Sequence, residues 1–338
     1  MTRFLVAAVS ILLLSVPRTA AAACSMFGGR ATVVQANALG VVPLVLSDTG
    51  NLDSTGGAKE ASLLNASAPG LATVEVLHAT TVGQDNSSRS EASVANVNLT
   101  MLGNNISADF LMARANANCG TGGATVGGSS EIAGLVANGQ SVVVTGSPNQ
   151  TISLPGGVMI ILNEQVSSVQ GGNGSISVNA LHVTAPGVAD ALVSTALAVI
   201  GPLLVVGGGG GGGNCEDFVT GGGWITKDGA KGNFGVAGGI RKGEFWGHLE
   251  YIDHGTGMKV KGTGVTAYDV TGPTSRHIKG TAEINDQSGT HSGTYDVDVA
   301  DNGEPGRNDV FMISLSNRYM AGGTLDGGNI QLHKTCPF

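Results

Sequence analysis

The sequence predicts an all-β protein of two modules: an N-terminal β-sandwich-like domain and a C-terminal antiparallel β-barrel or sandwich, joined by a glycine run. Three observations predict it. Aliphatic and small polar residues alternate with a period of two, as in Thr73–His78, Ser90–Leu99, Ser141–Thr145 and Ser175–Val178. Gly, Pro, Asn and Ser punctuate these segments, as at Ser147-Pro148-Asn149 and Leu154-Pro155-Gly156-Gly157. Gly207–Gly213 then separates two unlike halves. From Cys24 to Val206 the aromatics are Phe27 and Phe110, whereas both tryptophans, all four tyrosines and five phenylalanines follow the run. Such a run cannot pack a core and behaves as flexible coil.

Residues 1–23 read as a secretory signal peptide, with Arg3 in a basic start, an apolar stretch Phe4–Val16 and small residues Thr19–Ala23. The stretch falls short of the about 20 residues of a stable membrane span. Cleavage after Ala21, Ala22 or Ala23 leaves Cys24 at or near the mature terminus, which raises acylation of Cys24 as a minority alternative. Against it, Ala21-Ala22-Ala23 lacks a large aliphatic residue, and lipidation leaves an odd number of thiols among Cys24, Cys119, Cys215 and Cys336. Pairing of Cys24 with Cys119 is the expectation, in an extracellular protein that is secreted or held at the cell surface. Residues 24–206 form the first domain. Its apolar end, Val188–Val206, reads as a strand rather than a transmembrane anchor, because it carries Asp190 and Gly201-Pro202 and has no flanking basic residues.

Residues 207–214 are the linker and residues 215–338 the second domain. There, strands are expected at 218–226, 231–241, 244–253, 258–268, 277–285, 293–299, 309–317 and 323–333, joined by short hairpins. In 244–253, Phe245, Gly247, Leu249 and Tyr251 share one face and Glu244, Trp246, His248 and Glu250 the other. Cys215 and Cys336 flank the first and last strands, so a bridge between them requires the ends to meet. Closing so long a loop stabilises by about 4–5 kcal/mol in the chain-entropy account.

Particular segments carry a family resemblance. Ser88-Arg89-Ser90-Glu91-Ala92-Ser93-Val94-Ala95-Asn96-Val97, Gly146–Thr151 and Val178–Val183 resemble the choice-of-anchor P family of bacterial secreted proteins. Asp217–Ile225, Asn233-Phe234-Gly235, Gly247–His254 and Asp301–Phe311 are similar to the module that follows that domain in related proteins. The resemblance implies extracellular placement and no assigned chemistry. The end at Lys334-Thr335-Cys336-Pro337-Phe338 departs from the family's sorting signals, which puts covalent sorting in doubt.

Charged residues make up 12% of the chain, with 25 acidic against 17 basic, and no Lys/Arg cluster could neutralise a row of phosphates. Nucleic acid is therefore not expected as a partner; cell-surface or matrix components are. Asp296, Asp298, Asp301, Glu304 and Asp309, with Asn302 among them, offer hard oxygen donors for calcium, but without EF-hand spacing, so a hairpin with a polar turn is the plainer expectation. His248 and His254 beside Glu250 and Asp253 raise zinc, with a hydrated strand face as the favoured account. His78 and His182 sit alone in alternating strands. Trp224, Trp246 and Tyr251 could stack on a sugar, against ordinary packing as the plainer expectation. No phosphate-binding glycine motif, nucleophile elbow or acid/base set stands at recognisable spacing, so no enzyme and no cofactor are expected. The leading reading is a non-catalytic structural or adhesive protein; the alternative is a barrel binding a sugar or small apolar molecule.

Overall fold

The computed structural model describes residues 24–38, 43–202 and 216–334. The signal segment, the glycine linker, Cys215 and Cys336 lie outside the described residues. The described chain is nearly all strand, every ladder is antiparallel, and no helix is long and apolar enough to cross a membrane.

Strands β1 (Cys24–Ala38) and β2 (Leu44–Asp48) begin a first sheet. The chain then builds a second from β3 (Gly57–Ala68), β4 (Ala72–Gln84), β5 (Ser87–Met101), β6 (Asn104–Gly120), β7 (Gly123–Ala133), β8 (Val136–Ala137) and β9 (Gln140–Ser141). It returns to the first with β10 (Gln150–Ser153), β11 (Met159–Gln170), β12 (Asn173–Ala185) and β13 (Ala189–Pro202). The third sheet is β14 (Asp217–Lys227), β15 (Ala230–Arg241), β16 (Glu244–Asp253), β17 (Met258–Val270), β18 (Ser275–Asp286), β19 (Gly289–Ala300), β20 (Val310–Leu315), β21 (Met320–Thr324) and β22 (Gly327–Lys334). The sheet orders are β10-β11-β12-β13-β1-β2, β3-β4-β5-β6-β8-β9 with β7 also on β6, and β21-β20-β19-β18-β17-β16-β15-β14-β22.

The first two sheets pack face to face as the expected sandwich. The hydrophobic cluster between them, which includes Val34, Leu77, Val94, Leu111, Leu181 and Val193, is built from Ala, Val, Leu, Ile and Met, and the buried Ser90 and Ser194 hydroxyls donate across it to the Leu197 and Leu111 carbonyls. Small side chains keep the two layers close, and the partly buried Phe27 packs against the cluster. The apolar end of the first half is β13, between β12 and β1.

The third sheet is a meander curled round its own core as a half-barrel. Phe234 and Phe311 stack at 3.9 Å inside it, and the Tyr251 and Tyr319 hydroxyls meet at 2.7 Å. The wholly buried Arg276 grips Asp217 through two bonds of 2.7 and 2.6 Å, tying β18 to β14. Segments 231–241 and 244–253 fall where the alternation put them. The last expected strand divides into β21 and β22, because the chain turns at Leu325-Asp326, where the Asp326 amide donates to the Trp224 carbonyl. First and last strands are neighbours as expected, with Asp217 opposite Lys334. The ladder ends at β21, however, so pairing among the described residues does not close a barrel.

Candidate functional site between the sheets

The outer face of the second sheet is not in water. Along β4, β5 and β6 both faces are buried, because β14, β15, β16 and β22 of the third sheet lie against them. The simple alternation read from the sequence also changes phase within these strands. Val74 and Leu77 both reach the sandwich core, with Val76 between them at φ 44° and a register shift across Glu75/His78. Val94 and Val97 likewise share the core, with Asn96 at φ 46°. These bulges turn Val76, His78 and Ala95 outward, toward the third sheet.

Two glycines set how close the sheets come. A Cβ on Gly222 would lie 2.3 Å from Ser93 Oγ, and one on Gly235 would lie 2.9 Å from His78 Cβ. Gly222 and Gly235 are cross-strand partners in β14 and β15, so they open one flat spot in the third sheet.

The layer has apolar ends and a polar middle. At one end Trp224 packs on Phe110, Val76, Met112, Ala95 and Ile252. At the other, Phe218 and Trp246 cover Ala58 and Val82, with the Arg241 guanidinium 4.8 Å from the Trp246 ring centre. Between them, His248 Nδ1 stands 2.8 Å from Glu60 Oε2. The Ser62 hydroxyl donates to Glu60 Oε1 at 2.8 Å and lies 2.8 Å from Nδ1 of the fully buried His78. Burial pushes His78 down to about 4, so its ring is neutral at pH 7. His248 moves the other way: the Glu60 carboxylate outweighs its burial and raises it. Glu250 is pushed up to about 7 by burial.

A second polar group lies beside this one. Glu91 is pushed up to about 8 by burial, despite Arg114 and Arg89, and Asn329 Nδ2 donates to it at 3.4 Å. Glu304 reaches Arg89 at 3.5 Å and Arg114 at 4.0 Å. Lys231–Asp109 at 2.7 Å and Lys259–Glu75 at 3.9 Å complete the ion pairs between the modules that involve Lys or Arg among the described residues.

The other sequence-derived candidates scatter. Asp296 and Asp298 face His277 and Lys279 on the outside of β18 and β19. Asp301 accepts from the Gly303 and Leu332 amides, and Asp309 from those of Asn302 and Ile330, so both hold the β19–β20 loop against β22. Glu304 points to the first module. The calcium set is thus divided among separate tasks. Trp224, Trp246 and Tyr251 are no platform either: the tryptophans lie at opposite ends of the buried layer, and Tyr251 belongs to the half-barrel core. The His248–Glu250 face, expected to be hydrated, is covered by β3 and β4. His254 bonds Asn233 Oδ1 at 2.8 Å and is not part of the His248 group. His182 sits between Glu164 and Asp190 on the sandwich surface. Cys119 is not a free thiol.

Sequence reasoning missed Glu60 and the outward turn of His78. The available signal was the pair of short-side-chain positions, Gly222 and Gly235, on a face otherwise carrying Trp224 and Trp246.

Among the described residues, one group of His, Cys, Asp or Glu brings three potential metal donors together: Glu60, His78 and His248, with one donor atom of each within 4.8 Å of the others. Compared with protein-family models, with curated proteins and with solved structures, the chain matches none.

Proposed function

We propose that this chain is a secreted or surface-associated structural or adhesive protein of the choice-of-anchor P type, without catalytic activity of its own. The observation that supports the reading is where the chemically capable side chains go. Glu60, His78, Glu91, Arg114 and His248 are engaged between the sheets, and Arg276, Asp301 and Asp309 brace the half-barrel. The inside of the half-barrel is filled by Phe234, Tyr251, Tyr295 and Phe311, which removes the main support for a small-molecule barrel.

The same reading includes one disulfide in each module, Cys24–Cys119 and Cys215–Cys336. The β14–β22 register pairs Asp217 with Lys334, and the second pair of cysteines stands two residues beyond each partner. Intact mass after alkylation without reductant should find no reactive thiol. For the function itself, the purified mature chain should bind isolated cell envelope or extracellular matrix saturably and turn over nothing in a broad hydrolase panel. Turnover, or indifference to every surface preparation, would overturn it.

A further inference from the structure

We propose that Glu60, His78 and His248 form a binding site for a zinc-class divalent cation, which clasps the first module to the second.

The donor set is two imidazoles and a carboxylate, the ligand types that suit zinc among the common divalent ions. Glu60 and His78 come from adjacent strands of the second sheet and His248 from the third, so neither module holds the set alone. The hydrogen bonds arrange the rings for ligation. Because the Ser62 hydroxyl gives its proton to Glu60, its oxygen is left to accept from His78 Nδ1–H. That tautomer places the lone pair on His78 Nε2, which is buried and has no hydrogen-bond partner. A metal-bound histidine is commonly fixed in this way, its other ring nitrogen donating to an oxygen.

A Glu60–His248 ion pair by itself does not account for the group. It leaves three buried atoms, His78 Nε2, His248 Nε2 and Glu250 Oε2, without partners in one layer. Buried polar atoms are ordinarily paired. A dication in the Glu60–His78–His248 set gives one of these atoms, His78 Nε2, its partner and offsets the Glu60 carboxylate. An approach from solvent exists, since the side chains of His248 and Glu60 keep 17% and 13% of their exposure. Gly235, on the strand beside that of His248, leaves room for His78: a Cβ there would lie 2.9 Å from His78 Cβ.

The test is zinc titration of the full mature chain, disulfides oxidised and metal first removed by chelation, read by calorimetry and native mass spectrometry. The expected result is one zinc per chain and a raised melting temperature. His78→Gln, His248→Gln and Glu60→Gln should each weaken binding by about 100-fold or more, and Ser62→Ala, which frees the His78 tautomer and removes the hydroxyl bond to Glu60, by about 10-fold. His182→Gln and His277→Gln should leave it unchanged. Should a ligand variant fail to fold, cobalt absorption of the wild-type chain decides: a low-symmetry visible spectrum with two imidazoles and a carboxylate supports the site. Folded wild-type protein that retains no zinc, or stoichiometric zinc that survives all three ligand substitutions, would overturn it.

Discussion

The second sheet has two buried faces built on opposite principles. Toward the first sheet it presents Leu77, Ala79, Val94, Leu111 and Ala113, and the contact is mainly aliphatic, its few hydroxyls bonded to backbone carbonyls, as Ser90 to Leu197 at 2.6 Å. Toward the third it presents Glu60, His78, Glu91, Ser93 and Arg114, with apolar clusters only at the ends. The first face supplies stability by removing apolar surface from water. The second gains less from burial, since its charges must be paired to be tolerated there, and what it supplies is register and responsiveness to solution conditions. One sheet thus serves as the wall of a sandwich and as a docking surface.

Substitutions on the two faces should differ in size and in kind. The largest effect is expected on the dry face: Leu181→Ala should cost about 2–5 kcal/mol in denaturant unfolding, because the close-packed aliphatics cannot collapse into the space. On the polar face, Gly222→Val drives a side chain into Ser93 and should cost about 1–3 kcal/mol. Its loss should register as separate melting of the two modules, whereas Leu181→Ala leaves the docking intact.

Next comes pH. Glu91 is raised to about 8 by burial, so the folded state keeps a proton that the unfolded chain releases above about 4.5. Its contribution is fully present below that value and is lost as pH rises toward 8, at a slope of up to about 1.4 kcal/mol per pH unit. Asp309, raised to about 6, acts in the same direction over a lower window. Glu91→Gln should flatten the upper part of the curve and leave the protein more stable at pH 8; an unchanged slope would show that Glu91 is ionised in the folded state. Smallest of all, Arg89→Ala removes a partly exposed pair with Glu304 and a hydrogen bond to Asn116 and should cost about 1 kcal/mol, the ion-pair share of it lost in high salt.

Much of the sheet framework was legible because local alternation and hairpin residues determine it. The strand 244–253 and the opposition of Trp246 to Leu249 and Tyr251 follow from a period of two. The docking was not legible, for a physical reason: alternation distinguishes polar from apolar faces, but not a polar face in water from one covered by another polar face. His248 and Glu250 read as hydrated on that ground. The bulges at Val76 and Asn96 hid the rest, since continuous alternation from Val74 would have sent His78 into the sandwich core. The acidic residues from Asp296 to Asp309 are close in sequence yet bond different backbones, so their proximity carried no information about convergence.

Both tryptophans of the chain lie in the layer between the modules, Trp224 at 8% exposure and Trp246 packed on Phe218. Steady-state tryptophan emission with acrylamide quenching therefore tests the docked arrangement most directly. The account predicts blue-shifted emission, weakly quenched, moving to longer wavelength in Gly222→Val. Water-like emission from the folded wild-type chain, quenched as freely as an exposed indole, would contradict it.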